Sequence, residues 1–189
     1  GSDLSVLASD QISGTSRGIY AVNSGRGALS LNVAGVTGTA EYGIRATNWA
    51  GSTDLSITAS GTVNSDAAGI SALQMGSGAL SIDVADVSGT ARDGILARNS
   101  AGTDLTINAS GDVSGGLYGI VARNFGSGAL SIDVAGVAGT GTTGGLYAAN
   151  ASAASALTII ASGTVSGGWN ALTAVNSGRG ALSIDVAAV

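Results

Sequence analysis

Three carboxylates recur in this chain at a spacing that could set them in one row. Asp83, Asp133 and Asp185 stand 50 and 52 residues apart, each inside the same local motif, Leu-Ser-Ile-Asp-Val. Paired carboxyl groups are the machinery of glycoside hydrolysis, and inverting enzymes hold them roughly 6.5–9.5 Å apart. Such a pair works where it interrupts its surroundings, and this row does not. The equivalent positions of other units hold Asn32, Thr58, Asn108 and Ile160, so the acids follow a period rather than break one. The chain has no His and no Cys, which removes the common nucleophile–base triads and thiolate metal sites. The Gly-Gly-x-Gly-x-Asp nonapeptide of calcium-binding β-rolls is missing too, and isolated Asp residues do not build a six-oxygen cage. The expectation is a protein that is not an enzyme and holds no cofactor and no metal. A column of Ser5, Ser30, Ser56, Ser81, Thr106, Ser131, Thr158 and Ser183 could suggest an ice-binding face. It is mostly Ser beside mixed neighbours, and reads as an exposed face of small strand formers.

The elements that carry these residues are repeats. Gly-Ser-Gly-Ala-Leu-Ser-Ile-Asp-Val-Ala occurs at 76–85 and again at 126–135, with close variants at 25–34 and 178–187. A second motif, Thr-Asp-Leu-Ser-Ile-Thr-Ala-Ser-Gly-Thr-Val at 53–63, returns at 103–113 and more loosely at 156–165. The leucines that open the motifs are Leu4, Leu29, Leu55, Leu80, Leu105, Leu130, Leu157 and Leu182, stepping by 25 to 27 residues. Such self-similarity marks a solenoid or array. Each unit contains three short segments. The first alternates apolar and polar residues, the second is centred on a valine (Val36, Val63, Val87, Val113, Val137, Val165), and the third reads Gly-Ile-x-Ala-x-Asn. Period-two alternation between Gly- and Ser-rich breaks predicts strands. Three strands in about 25 residues fit one coil of an all-β, right-handed, single-stranded parallel β-helix. The chain then forms seven full coils and part of an eighth, about 4.8 Å apart. The acid row would lie at intervals of about 10 Å. One coil buries about five apolar side chains, too few to offset the ordering of its backbone, so coils are stable only when stacked.

Composition agrees. A chain of 189 residues with 32 glycines, no proline and a net charge of −5 lacks the clustered cations that duplex binding needs, so no nucleic-acid partner is expected. Mean hydropathy is high, at +0.40. Gly, Ser, Thr and Asn nevertheless interrupt every apolar run well short of the ~20 residues of a spanning helix, so no direct membrane insertion is expected. Gly1-Ser2 reads as a cloning scar, and residues 3–189 as a single repeat domain cut from something longer.

Two sets of residues stand out. Four positions after each Ile of the third segment comes an amide: Asn23, Asn48, Gln74, Asn99, Asn124, Asn150 and Asn176. Two steps of two place it on the inward face. Buried amides need partners, and a stacked column of them is expected to form a structural polar ladder like those of cross-β stacks. Gln74, with its longer stem, is expected to shift its turn. The outward positions of the same segment vary where the inward ones do not, and most of the few aromatics fall beside them. Tyr20, Arg45, Leu73, Leu96, Arg98, Val121, Arg123 and Tyr147, with Trp49, Met75 and Phe125 from the following turn, form a candidate interaction face. Tyr, Trp and Arg are the usual anchors of such surfaces, and contiguous exposed apolar area marks them.

Gly-Ala-Leu-Ser-Ile-x-Val, Ala-Ser-Gly-Thr-Val and Gly-Ile-x-Ala-x-Asn, cycling every 25 or so residues, resemble the repeat region of bacterial autotransporter (type V secretion) passenger domains. The resemblance covers the chain from Leu4 onward. It implies a right-handed β-helical stalk, exported through the outer membrane and displayed on the cell surface or released. Such a stalk would serve adhesion, autoaggregation or presentation of another domain, with a host protein, a glycan or another copy as partner. Two further readings are a polysaccharide-processing or polysaccharide-binding β-helix of the tail-spike or lyase type, and a self-assembling fibre unit.

Overall fold

The computed structural model describes residues 3–189; the Gly1-Ser2 pair read as a scar lies outside them. Every element is a β-strand, and every strand pairing is parallel. The chain runs through β1 (Leu4–Gly14), β2 (Arg17–Asn23), β3 (Leu29–Gly38), β4 (Tyr42–Asn48), β5 (Leu55–Ala59), β6 (Val63–Ser65), β7 (Ala68–Gln74), β8 (Leu80–Val84) and β9 (Val87–Gly89). It continues through β10 (Ile95–Asn99), β11 (Leu105–Gly115), β12 (Ile120–Asn124), β13 (Leu130–Gly139), β14 (Gly144–Asn150), β15 (Leu157–Ser166), β16 (Asn170–Asn176) and β17 (Leu182–Ala188). The opening leucines pair in single file from Leu4 to Leu182. The chain is a β-solenoid of about seven turns, each close to 25 residues.

The coil departs from three separate strands. First and second segments share one 10-stranded sheet, and only the third segments form a sheet of their own, seven strands in the order β16-β14-β12-β10-β7-β4-β2. In β1, β3, β11, β13 and β15 the first two segments run on as one strand. The corner between them is a register irregularity, as between Ala8 and Gln11 or Ala109 and Asp112. An extra residue bends a strand without ending it, so the Ala-Ser-Gly and Ala-Gly steps turn the chain without costing the ladder its continuity.

The interior is a set of columns. Leu80, Ile82, Val84, Val87 and Ile95, the five expected from one coil, are all buried, and their counterparts repeat through the stack. Ile19, Ile44, Ile70, Ile95, Ile120, Leu146 and Leu172 stand in register along the third sheet, with the alanine column two residues on. The glycine before each Ile has a steric cause. A Cβ on Gly69 would stand 2.4 Å from Val87 Cγ1 and 2.6 Å from the carbonyl oxygen of Gly94. One on Gly94 would stand 2.5 Å from Ser114 O. The valine of each following coil fills the space that a side chain would need.

The alternation of two motifs also has a cause. Asp3, Asp54 and Asp104 precede the leucine of alternate coils, and their Oδ1 atoms accept the backbone N–H of Ala28, Ala79 and Ala129 one coil above at 2.7–2.8 Å. The coil that receives the carboxylate carries glycine beside the contact: a Cβ on Gly78 or Gly128 would fall 2.2 Å from that oxygen. An Asp coil therefore calls for a Gly-Ala-Leu coil on top of it, and the repeat comes in pairs.

Candidate functional site: the outer face of the third sheet

The amide column points inward as its spacing requires. Asn23, Asn48, Gln74, Asn99, Asn124 and Asn150 are buried, while Asn176, at the last complete turn, is partly open. The ladder is not continuous. Amides bond amides only from Asn23 Nδ2 to Asn48 Oδ1 and from Asn99 Nδ2 to Asn124 Oδ1, both at 2.9 Å. The commoner bond is to the amide's own turn. Asn99 Nδ2 donates to Thr103 O at 2.9 Å, Asn124 Nδ2 to Gly128 O at 3.0 Å and Asn176 Nδ2 to Gly180 O at 2.8 Å. The side-chain oxygens accept the turn's N–H groups from Gly25, Gly102, Gly126 and Gly178. These are Asx-type closures. Gln74 stays in register with Asn48 and Asn99, and its longer stem changes its partners instead: its amide reaches back to Thr53 O in the previous turn as well as forward to Ala79 O, and it bonds no other amide. The column is a row of turn clasps.

The acids of the first sheet lie in the expected file. Asp83 and Asp133 flank Asn108, and Asp133 and Asp185 flank Ile160, all exposed. Among the described residues no three His, Cys, Asp or Glu side chains converge as a metal site would need.

The outward face of the third sheet, with its flanking turns, gathers five of the seven aromatic side chains and four of the seven arginines into stacked pairs. Arg17 lies 4.7 Å from the Tyr20 ring centroid and bonds Glu41 at 2.6 Å. Arg45 lies over both Tyr20 and Tyr42, at 5.6 and 5.3 Å. Arg98 lies 5.0 Å over Phe125, and Arg123 5.2 Å over Tyr147. Tyr118 meets Tyr147 edge-on, with centroids 6.4 Å apart at 66°. A guanidinium over a ring face is attracted by the ring quadrupole, so these residues hold each other in place along the stack. Arg98 and Arg123 are exact register partners on β10 and β12, about 4.8 Å apart at the backbone.

Not every residue of the proposed face is accessible. Val121 points outward but is only 6% exposed, paired in register between Leu96 and Tyr147. Thr47, two residues after Arg45 on the same side of β4, is buried as well. Arg45, Leu73, Met75 and Tyr147 are half-buried, whereas Tyr20, Trp49, Leu96, Arg98, Arg123 and Phe125 are exposed. Large neighbours on adjacent coils cover a small outward residue, an effect that sequence spacing alone does not reveal.

Around Leu96 the face dips into a groove of about 450 Å³, lined by Ser71, Leu73, Asp93, Leu96, Arg98, Leu117, Tyr118, Val121 and Arg123. Asp93 is the titratable group of interest. Burial pushes its carboxyl above the usual range, while the N–H of Tyr118, donating at 3.2 Å, and the nearby Arg92 and Arg123 guanidiniums pull the other way. Tyr118 also borders a second hollow of about 310 Å³, with Thr142, Thr143, Gly144, Trp169 and Asn170. Asp93, Leu117, Thr143 and Trp169 escape sequence reasoning because they sit in the variable turn before β10, β12, β14 and β16, where no motif recurs. Spacing from the Ile column was the available signal: Asp93, like Tyr118, Gly144 and Asn170, stands two places before it, and Leu117, Thr143 and Trp169 stand three places before it.

Comparison of the chain with known protein families, with curated proteins and with solved structures yields no match. The fold and the face therefore stand on the chain's own geometry.

Proposed function

We propose that this chain is a rigid, surface-displayed bacterial stalk of the autotransporter passenger type, adhesive along the outer face of its third sheet. The observation that carries the reading is the contrast within that sheet. Its inward columns repeat coil after coil, while its outward side concentrates arginines and aromatics that the stack does not need for burial. Stacked coils give length and stiffness, because each coil is held by ladders on both sides. A strip of Arg, Tyr, Trp and Leu along that length supplies the side chains that dominate binding energy at interfaces. Export would be through the outer membrane, with a host protein, a glycan or another copy of the chain as partner, and no chemistry is assigned to the chain itself.

The test is display of residues 3–189 on bacteria through a heterologous outer-membrane barrel, scored for attachment to host cells and matrix and for cell–cell aggregation. Attachment or aggregation above the barrel alone is expected. Replacing Leu96, Arg98 and Arg123 with alanine should remove it; buried Val121 is left intact so that the stack is undisturbed. Adhesion unchanged by that triple substitution, or absent from the parent, overturns the reading.

A further inference from the structure

We infer that the groove between Arg98 and Trp169 binds a carboxylated oligosaccharide lying along the stacking axis. The inference rests on the adhesive reading above and names its ligand class.

Charge comes first. Arg98 and Arg123 are like charges directly opposite one another on neighbouring strands, an arrangement that is destabilising by itself. Neither has a carboxylate within ion-pair distance; among the described residues Arg17 and Glu41 form the one salt bridge. Phe125 and Tyr147 pack against the two guanidiniums and hold them in position. The chain as a whole carries −5, so a paired cationic site on it is a local exception. Each positioned guanidinium presents a fork of two parallel N–H donors that matches a carboxylate.

Shape comes second. The two hollows share Tyr118 and together draw on residues from Ser71 to Asn170, spanning four coil steps or about 19 Å. An occupant that fills both is elongated rather than compact. At the Arg end the floor is apolar, from Leu73, Leu96 and Leu117. At the other end it is neutral and mixed. Trp169 is 82% exposed, and the Thr143 hydroxyl is buried with no partner. An exposed indole and a phenol ring beside the exposed Asn170 amide suit a saccharide, whose ring offers a C–H face to stack and hydroxyls to bond. Asp93 accepts only the Tyr118 N–H, leaving a carboxylate oxygen for sugar hydroxyls.

An extended peptide fits less well. Peptides add to sheets at free edges, and β10, β12 and β14, which underlie the groove, each have strand partners on both sides.

The experiment is isothermal titration of the chain with trigalacturonate, with its methyl ester and with sialyllactose, repeated on Arg98→Gln/Arg123→Gln and on Trp169→Ala. Thermal unfolding confirms that each variant is folded. Binding of at least one acidic probe is expected. The double variant should weaken it more than about tenfold, a loss of one or more strong charge-assisted contacts. Trp169→Ala should weaken it several-fold, and the ester should not bind. Equal binding of ester and acid, binding unaffected by either variant, or no binding of both acidic probes at millimolar concentration overturns the inference. If displayed cells still adhere in that event, the groove assignment alone fails; if adhesion is also missing, the surface reading fails with it.

Discussion

The two sides of the seven-stranded sheet obey different rules. Inward, the coils repeat Gly, Ile or Leu, Ala and an amide, with Ala171 replacing the glycine in the last complete turn, because each position is bounded by its copies above and below. Outward, the column through Tyr20 runs Tyr, Arg, Ser, Leu, Val, Tyr, Thr. The same backbone ladder supports both sides, so the uniformity inside comes from packing and the variety outside from its absence. The lesson is that in a solenoid a departure from the repeat on a tightly bounded face signals damage, while on the open face it signals use.

Substitutions can strain this contrast. The largest effect is expected for Gly94→Val. Even a Cβ there would collide with the carbonyl oxygens of Ser114 and Gly119, at 2.5 and 2.6 Å, and backbone cannot yield as a side chain can. The expected outcome is loss of soluble folded protein in expression and far-UV circular dichroism, whereas Leu96→Val two positions on should fold normally. Next is Asn99→Ala, which strips bonds from Gly102 N, Thr103 O and Asn124 Oδ1. A loss of about 2–4 kcal/mol is expected in denaturant unfolding, against clearly less for Asn176→Ala at the partly open end. Leu96→Ala with Arg98→Ala should shift Tm by no more than about 2 °C while adhesion falls. A larger drop would show that the outer face carries stability after all.

The smallest effect concerns Asp93. Its carboxyl titrates above its ordinary range because burial disfavours the charged form. The ionised group therefore costs stability at neutral pH. The cost is relieved as pH falls through the raised value, where the folded state takes up its proton first. Asp93→Asn keeps an acceptor for the Tyr118 N–H and removes the charge, so a small rise in Tm at pH 7 is expected. The gap to the parent should close in acid. A drop at pH 7 would show that Arg92 and Arg123 outweigh desolvation.

Much of the fold was legible in the residues. Period, strand direction and the Leu, Ile, Ala and Asn columns follow from spacing alone, since a one-residue slip would turn every side chain to the wrong face. The two-sheet arrangement was not legible, because a bulge and a strand break look alike in a Gly-Ser step. The Asp54–Ala79 contact was hidden for another reason: it links residues 25 apart whose pairing is known only once the coils are stacked. The outer face was half legible. Its chemistry could be read from Arg98, Arg123 and Phe125. The burial of Val121 and the hollow beside Asp93 depend on how long side chains from neighbouring coils lean, and the turn residues that make the hollow follow no repeat.

The most direct test of the central claim is distance along one outward file. Leu7, Asn108, Ile160 and Asp185 are exposed and belong to one register column. The chain has no native cysteine, so spin labels can be placed cleanly. Electron–electron dipolar distances from position 7 to 108, 160 and 185 should rise in proportion to coil number, to about 19, 29 and 34 Å at 4.8 Å per coil. Distances that do not grow with coil number, or broad distributions at all three pairs, would contradict the stacked-coil account.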